Sequence, residues 1–341
     1  MPKSILAANL MVNDLRPYHM EALDTTDPVH QILMPLLYFE IFSYPLTQQE
    51  LIELCPGAAL DEKVLKEALE SARAKGWIKE ERGFYSLHGN PQQVDTRVDN
   101  NTRAERYIRH AYRMTQLIRR FPFVRAVFLS GALSKNVMPK DGDIDYFIVT
   151  EPGRLWVSRT LLILFKKVFL FNSHKYFCVN YFVDTQHLVI EEQNQFTATE
   201  VATLVPLYNH MMYQHFMAQN EWIGKYYPNF PARLAERTLR QRKSKVQNLF
   251  EWTLKGKMGN WLEEYFFQKT LAFWQKKFAN FDPSRFSNAL KSRPHVSKHH
   301  PQDFQHRVLT RLEELMCAFE EQHKVKLERP FNAEQTVQTD K

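Results

Sequence analysis

The sequence predicts an α+β fold: a module of three helices and a hairpin, a mixed sheet flanked by helices, and a helical C-terminal region. Three observations predict it. Capped amphipathic runs give way to a period-two hairpin before residue 94, two strand-like runs frame an acidic turn near residue 140, and helical spacing dominates after residue 196. The chain has 341 residues, 44% hydrophobic and 24% charged, enough apolar material for a packed core and too much for a disordered chain. Its net charge of +7 permits an anionic partner without requiring one.

Residues 1–29 carry no sustained period and are taken as an N-terminal arm. From His30, the apolar positions Ile32, Leu33, Leu36, Leu37, Phe39 and Ile41 predict a mostly buried helix ending before Pro45. Thr47 with Glu50 is a capping box that opens a short helix through Leu54. Asp61 caps a third helix with Val64, Leu65, Ala68, Leu69 and Ala72 on one face and Gly76 at its end. WIKEERGFYSLHG then alternates about a turn at Glu81–Gly83.

That order over residues 30–94 is the layout of a winged helix-turn-helix. The third helix sets Asp61, Glu62, Glu67 and Glu70 against Lys63, Lys66, Arg73 and Lys75, a formal charge of zero. DNA binding draws on phosphate neutralisation, so a neutral helix favours structural or protein-docking work over DNA reading. Residues 95–120 form an arginine-rich linking helix with an apolar stripe at Tyr107, Ile108, Tyr112 and Leu117 and its arginines toward solvent.

The chemistry is expected in a core at residues 121–195. FVRAVFLSG reads as an apolar strand ending in the turn Ser130-Gly131-Ala132, and DGDIDYFIVT opens a second strand with alternating carboxylates. Asp143 and Asp145, two apart on a strand, face one way and can hold a divalent ion between them; without one, like charges repel. The glycine turn lets backbone amides approach an anion, Ser130 or Ser134 can donate hydroxyl hydrogen bonds, and Lys135 or Lys140 can offset phosphate charge. EPGRLWVSRTLLILFKKVF reads as a helical crossover, with Arg154 at its start either reaching a phosphate or facing solvent, an ambiguity that Lys175 shares.

The stretch from LSGALSKN to DGDIDYFIV resembles the DNA polymerase beta-like nucleotidyltransferase superfamily, particularly its small prokaryotic members with a glycine-serine turn, a spacer and Asp-x-Asp. The resemblance implies a mixed sheet flanked by helices and Mg²⁺-dependent transfer of a nucleotidyl group from a nucleoside triphosphate such as ATP to an acceptor hydroxyl. It makes Gly131 the turn glycine and Asp143 with Asp145 the metal ligands. Two positions depart from the family pattern. Ala132 stands where a serine is usual, which leaves phosphate grip to the backbone, Ser130 or Ser134. The third family carboxylate belongs to a later strand, here KYFCVNYFVD, whose central polar residue is Asn180; Asp184, four residues on, shares that face by alternation and is the candidate third acid. These departures leave open a catalytically weak or inactive nucleotide-sensing regulator that binds DNA, RNA or a protein.

After Asp184, HLVIEE is expected as a strand and residues 196–330 as a helical domain, opened by a capping box at Thr197 and Glu200. Asn209 or Tyr208 can contact a base or simply pack. Residues 232–257 hold eight basic residues against Glu236 and Glu251, with Phe250 and Trp252 nearby, and suit either a nucleic acid or a solvated face. HVSKHHPQDFQH lacks zinc-ligand spacing and reads as a polar loop before a last helix, and residues 331–341 as a polar tail. The acceptor is a small molecule, a protein or an RNA end. Cys55, Cys178 and Cys317 show no framework spacing, and the apolar run Leu155–Phe171 is too short and too charged to span a bilayer. A cytoplasmic protein without a membrane partner is expected.

Overall fold

The computed structural model describes residues 21–173, 175–231, 238–239 and 245–329. Most of the expected arm, the tail and five of the eight basic residues of 232–257 lie outside the described residues.

The N-terminal part runs β1 (Glu21–Leu23), α1 (Pro28–Glu40), β2 (Leu46–Thr47), α2 (Gln48–Leu54), α3 (Glu62–Ala74), β3 (Lys79–Glu81) and β4 (Phe84–Ser86). Local chemistry sets these limits. The Thr47–Glu50 box is closed in both directions, and the Asp61 side chain accepts from the Val64 amide. Strands β2, β4 and β3 form an antiparallel sheet in that order, so the expected hairpin gains a third strand. Strand β1 pairs in parallel with β11 (Val325–Leu327), tying the beginning of the described chain to its end.

Helix α4 (Pro91–Ile118) starts four residues earlier than the sequence suggests, because Asn90 caps it and Pro91 sits at its first position. Not all its arginines face water. Arg97 is buried, donates to Glu50 of α2 at 2.7 Å and lies over the Tyr44 ring, fastening α4 to the N-terminal helices.

The central sheet has six strands in the order β8-β5-β6-β7-β10-β9. Its members are β5 (Val124–Ser130), β6 (Asp145–Thr150), β7 (Cys178–Asp184), β8 (Val205–Tyr208), β9 (Ser292–Arg293) and β10 (Val296–Lys298). Strands β6 and β7 are parallel and joined by the crossover helix α6 (Leu155–Phe169); the other pairings are antiparallel. One face packs Ala126, Phe128, Phe147 and Val149 against the N-terminal and late helices, and the other packs Val127, Leu129, Tyr146 and Ile148 against α4 and α6.

The region after residue 196 is not purely helical: β8, β9 and β10 supply half the strands of this sheet. Their two- to four-residue runs are too short for alternation to stand out, and they are extended because the sheet offers them partners. Conversely, residues 187–192 form no strand. The buried Asn220 side chain accepts from the Ile190 amide and donates to the Leu188 carbonyl, taking over what a ladder would have done. The remaining elements are the one-turn helix α5 (Gly131–Ser134), α7 (Gln195–Ala202), α8 (His210–Gln219), a 3₁₀ turn (Glu221–Lys225), α9 (Lys245–Leu254), α10 (Lys257–Lys277), α11 (Pro283–Ala289) and α12 (Phe304–His323). No helix among the described residues is long and apolar enough to cross a membrane.

Candidate metal centre

Three neighbouring strands bring Ser130, Asp145 and Cys178 abreast, at the end of β5 and the beginnings of β6 and β7. Asp143 lies just before β6 rather than on it, yet its carboxylate still meets that of Asp145. One ligand atom each from Asp143, Asp145 and the Cys178 thiol falls within 4.8 Å of the others.

Gly131 makes this approach possible. It opens α5 with φ of +69°, and a Cβ built on it would stand 2.3 Å from Asp145 Oδ2. The turn backbone therefore lies directly against the carboxylate. Gly131→Ala is expected to cost about 2 kcal/mol or more, from left-handed backbone strain and displacement of Asp145, as read by denaturant unfolding.

Burial first, then the charge of Asp143, pushes the Asp145 carboxyl up to about 8; Glu200 adds to the rise, while Cys178 and Lys135 oppose it. Burial and the two carboxylates likewise push the Cys178 thiol well up, so it stands beside them as a neutral donor. Asn180 donates from Nδ2 to Asp145 Oδ1 at 2.7 Å. A register shift in the β6–β7 pairing falls beside it: Tyr146 pairs with Val179, and Phe147 with Tyr181.

That bulge decides the place of Asp184. Beyond it, Tyr181 and Val183 join the core on one face and Phe182 the core on the other, so the alternation linking Asn180 to Asp184 is broken. Asp184 stands at the far end of β7 opposite Thr150, buried, and accepts from the amides of Gln186 and His187 and from His187 Nδ1. It closes a turn and does not join the cluster.

The remaining candidates divide. The Ser134 hydroxyl is buried and donates to the Gly131 carbonyl at 2.9 Å, which commits it to the turn. Lys135 Nζ donates to the same carbonyl at 3.1 Å and to Glu200 of α7 at 2.8 Å. Ser130 precedes α5 without capping it by its side chain, Ala132 is half-buried within α5, and Lys140 is exposed. Arg154 neither reaches the cluster nor faces solvent: its guanidinium donates to the Leu254 and Lys255 carbonyls at the end of α9. Asn209 caps α8 and Tyr208 is buried in β8.

Two members of this neighbourhood escaped the sequence reading. Cys178 lies two residues before Asn180, and alternation alone places it on the same face. The spacing of Thr197 and Glu200 suggests a capping box, but Asn194 caps α7, accepting from the Thr197 amide at 3.0 Å, and Glu200 pairs with Lys135. A cavity of about 90 Å³ extends along the same face, walled by Phe147, Tyr181, Phe196, Glu200 and Phe304. A larger one, about 320 Å³, lies at the Asp184 end of β7 against His187, His215 and His295, away from the carboxylates.

No protein-family model, curated protein or solved structure matches this chain.

Proposed function

We propose that the chain is a divalent-metal-dependent nucleotidyltransferase of the DNA polymerase beta-like kind, moving a nucleotidyl group from a nucleoside triphosphate to an acceptor hydroxyl. The observation that carries the reading is the glycine turn at the end of β5 pressed against Asp145, with Asp143 alongside. Chain segments about a dozen residues apart thereby join a backbone turn that can face an anion to two carboxyls that both carry charge only when a cation offsets them, since Asp145 otherwise keeps its proton up to about pH 8.

The donor set fits Mg²⁺ through its carboxylates. Asp143 and Asp145 would hold the ion, leaving other positions to water and phosphate oxygens, whereas the Cys178 thiol is too soft a ligand to take part. When bound, the ion supplies charge neutralisation on the phosphates. The Gly131 turn would bring its amides to the triphosphate, Lys135 would add a cation once released from Glu200, and Asn180 would hold Asp145 by its hydrogen bond. In this reading the three N-terminal helices with β2, β3 and β4 form a winged-helix module, and the six-stranded sheet is the transferase core. Cys55, Cys178 and Cys317 are free, which supports a reducing compartment such as the cytoplasm.

Calorimetric titration of each nucleoside triphosphate, with and without Mg²⁺, tests the reading. Wild type is expected to bind one or more of them only with Mg²⁺, and the Asp143→Asn, Asp145→Asn double variant to bind none. Absence of binding to folded wild type overturns it. A nucleotide-sensing regulator is the second reading, favoured by Ala132 and by Asn180 in place of an acid; it predicts the same binding without release of pyrophosphate.

A further inference from the structure

Helices α9 and α10 form a hairpin whose outer side no part of the described chain covers. The face of α10 toward the core carries Phe266, Phe267 and Trp274, and Glu263 reaches across to accept from the Trp156 and Val157 amides of α6. A second apolar group, Met258, Trp261 and Tyr265, lies on the opposite side and is exposed, Trp261 by 62%, and the exposed Phe273, two turns on from Phe266, stands at the edge between the two sides. At 1.5 Å per residue it extends about 10 Å, and Lys269 and Lys276 continue its line. Trp252 near the end of α9 is 76% exposed at the same hairpin tip. A helix apolar on both sides needs a cover on both.

The charge on this face restricts what the cover can be. The two helices and the link between them carry Lys245, Lys255, Lys257, Lys269, Lys276 and Lys277 against three acids. Two of those acids are spent inward, Glu251 on Arg125 and the Phe123 amide and Glu263 on α6, which leaves Glu264 as the exposed one. A second copy set face to face would oppose lysine with lysine. Single-stranded nucleic acid would use the lysines and aromatic rings but leave Met258 and the exposed Leu249 in water. A lipid surface satisfies both parts: tryptophan, phenylalanine and methionine enter the boundary between headgroups and acyl chains, and lysine stems extend to anionic headgroups.

We propose that the α9–α10 hairpin docks this protein on an anionic lipid bilayer, lying in its surface without crossing it. The proposal is independent of the nucleotidyltransferase reading. It concerns a bilayer surface alone and stands beside the finding that no helix among the described residues is long and apolar enough to cross a membrane.

Full-length protein is sedimented with phosphatidylcholine vesicles with and without phosphatidylglycerol, while tryptophan emission is recorded. Binding is expected with phosphatidylglycerol, with a blue shift and loss at high salt. Trp252→Glu with Trp261→Glu is expected to weaken it by about tenfold or more per residue, and Lys255→Glu with Lys257→Glu to weaken it while leaving the circular dichroism of wild type. No binding to either vesicle, or binding that these exposed substitutions leave unchanged in folded protein, overturns the proposal. So does a gel shift with single-stranded RNA that the same substitutions abolish while vesicles stay unbound, which would give the face to nucleic acid.

Discussion

In metal-free buffer above pH 8, the Asp145→Asn protein is expected to be more stable than wild type, although the substitution removes the central side chain of the candidate metal centre. Burial and the neighbouring Asp143 charge raise the Asp145 carboxyl to about 8 in the folded protein, against about 4 in the unfolded chain. The folded state holds this proton more tightly, so wild type has its full stability from this group below about pH 4. It loses that stability as pH rises through about 8. The loss has an upper limit of about 6 kcal/mol, reduced because Asp145 keeps a partly exposed edge. Asparagine keeps the Oδ1 that accepts from Asn180 and carries no charge, so it escapes the loss. Thermal unfolding across pH should show the two proteins diverging as pH rises, by several degrees at the alkaline end. Added Mg²⁺ should raise the wild-type midpoint and leave the variant unmoved. A variant that melts below wild type at pH 9 without metal would show that the carboxylate pair is not repulsive and would remove the electrostatic argument for a cation.

The second large effect is expected far from the carboxylates. Glu251 of α9 is buried, accepting from Arg125 at 2.9 and 3.2 Å and from the Phe123 amide at 2.8 Å at the start of β5. Arg125 is also paired with Glu151. Glu251→Ala leaves a buried guanidinium short of a partner and an amide without its acceptor, and is expected to cost about 3–5 kcal/mol in denaturant unfolding. Replacing both charges, Arg125→Met with Glu251→Leu, should recover most of this, leaving about 1 kcal/mol for the amide. If the double variant is no better than the single one, the ion pair contributes net stability instead of merely forbidding its own disruption.

Where a signal was local, the sequence was sufficient. Thr47 with Glu50, Asp61 with Val64, and the turn before Gly83 are fixed by groups within four residues, and each forms as the spacing predicts. The same holds for the apolar run to Ser130 and the glycine turn, because strand period and glycine conformation are properties of short segments; Asp143 meets Asp145 from the turn before β6 and not by the alternation the sequence suggests. The reading failed where a local signal had a competitor. Thr197 and Glu200 match a capping box as well as Thr47 and Glu50 do, but Asn194 lies nearer the helix start and Lys135 offers Glu200 a charge partner.

The sequence by itself thus determined the N-terminal helices and hairpin and the order of strand, turn and acidic strand, since each follows from contacts within a few residues. Only the tertiary structure decided that Gly131 presses on Asp145, that a bulge beside Asn180 sends Asp184 away, and that Arg97 and Arg154 are buried fasteners. It also decided that late two- to four-residue segments complete the sheet while residues 187–192 stay outside it. These outcomes depend on which backbone and side-chain groups distant parts of the chain bring to be satisfied, and a buried polar group takes the partner that folding places beside it, however far along the chain that partner lies.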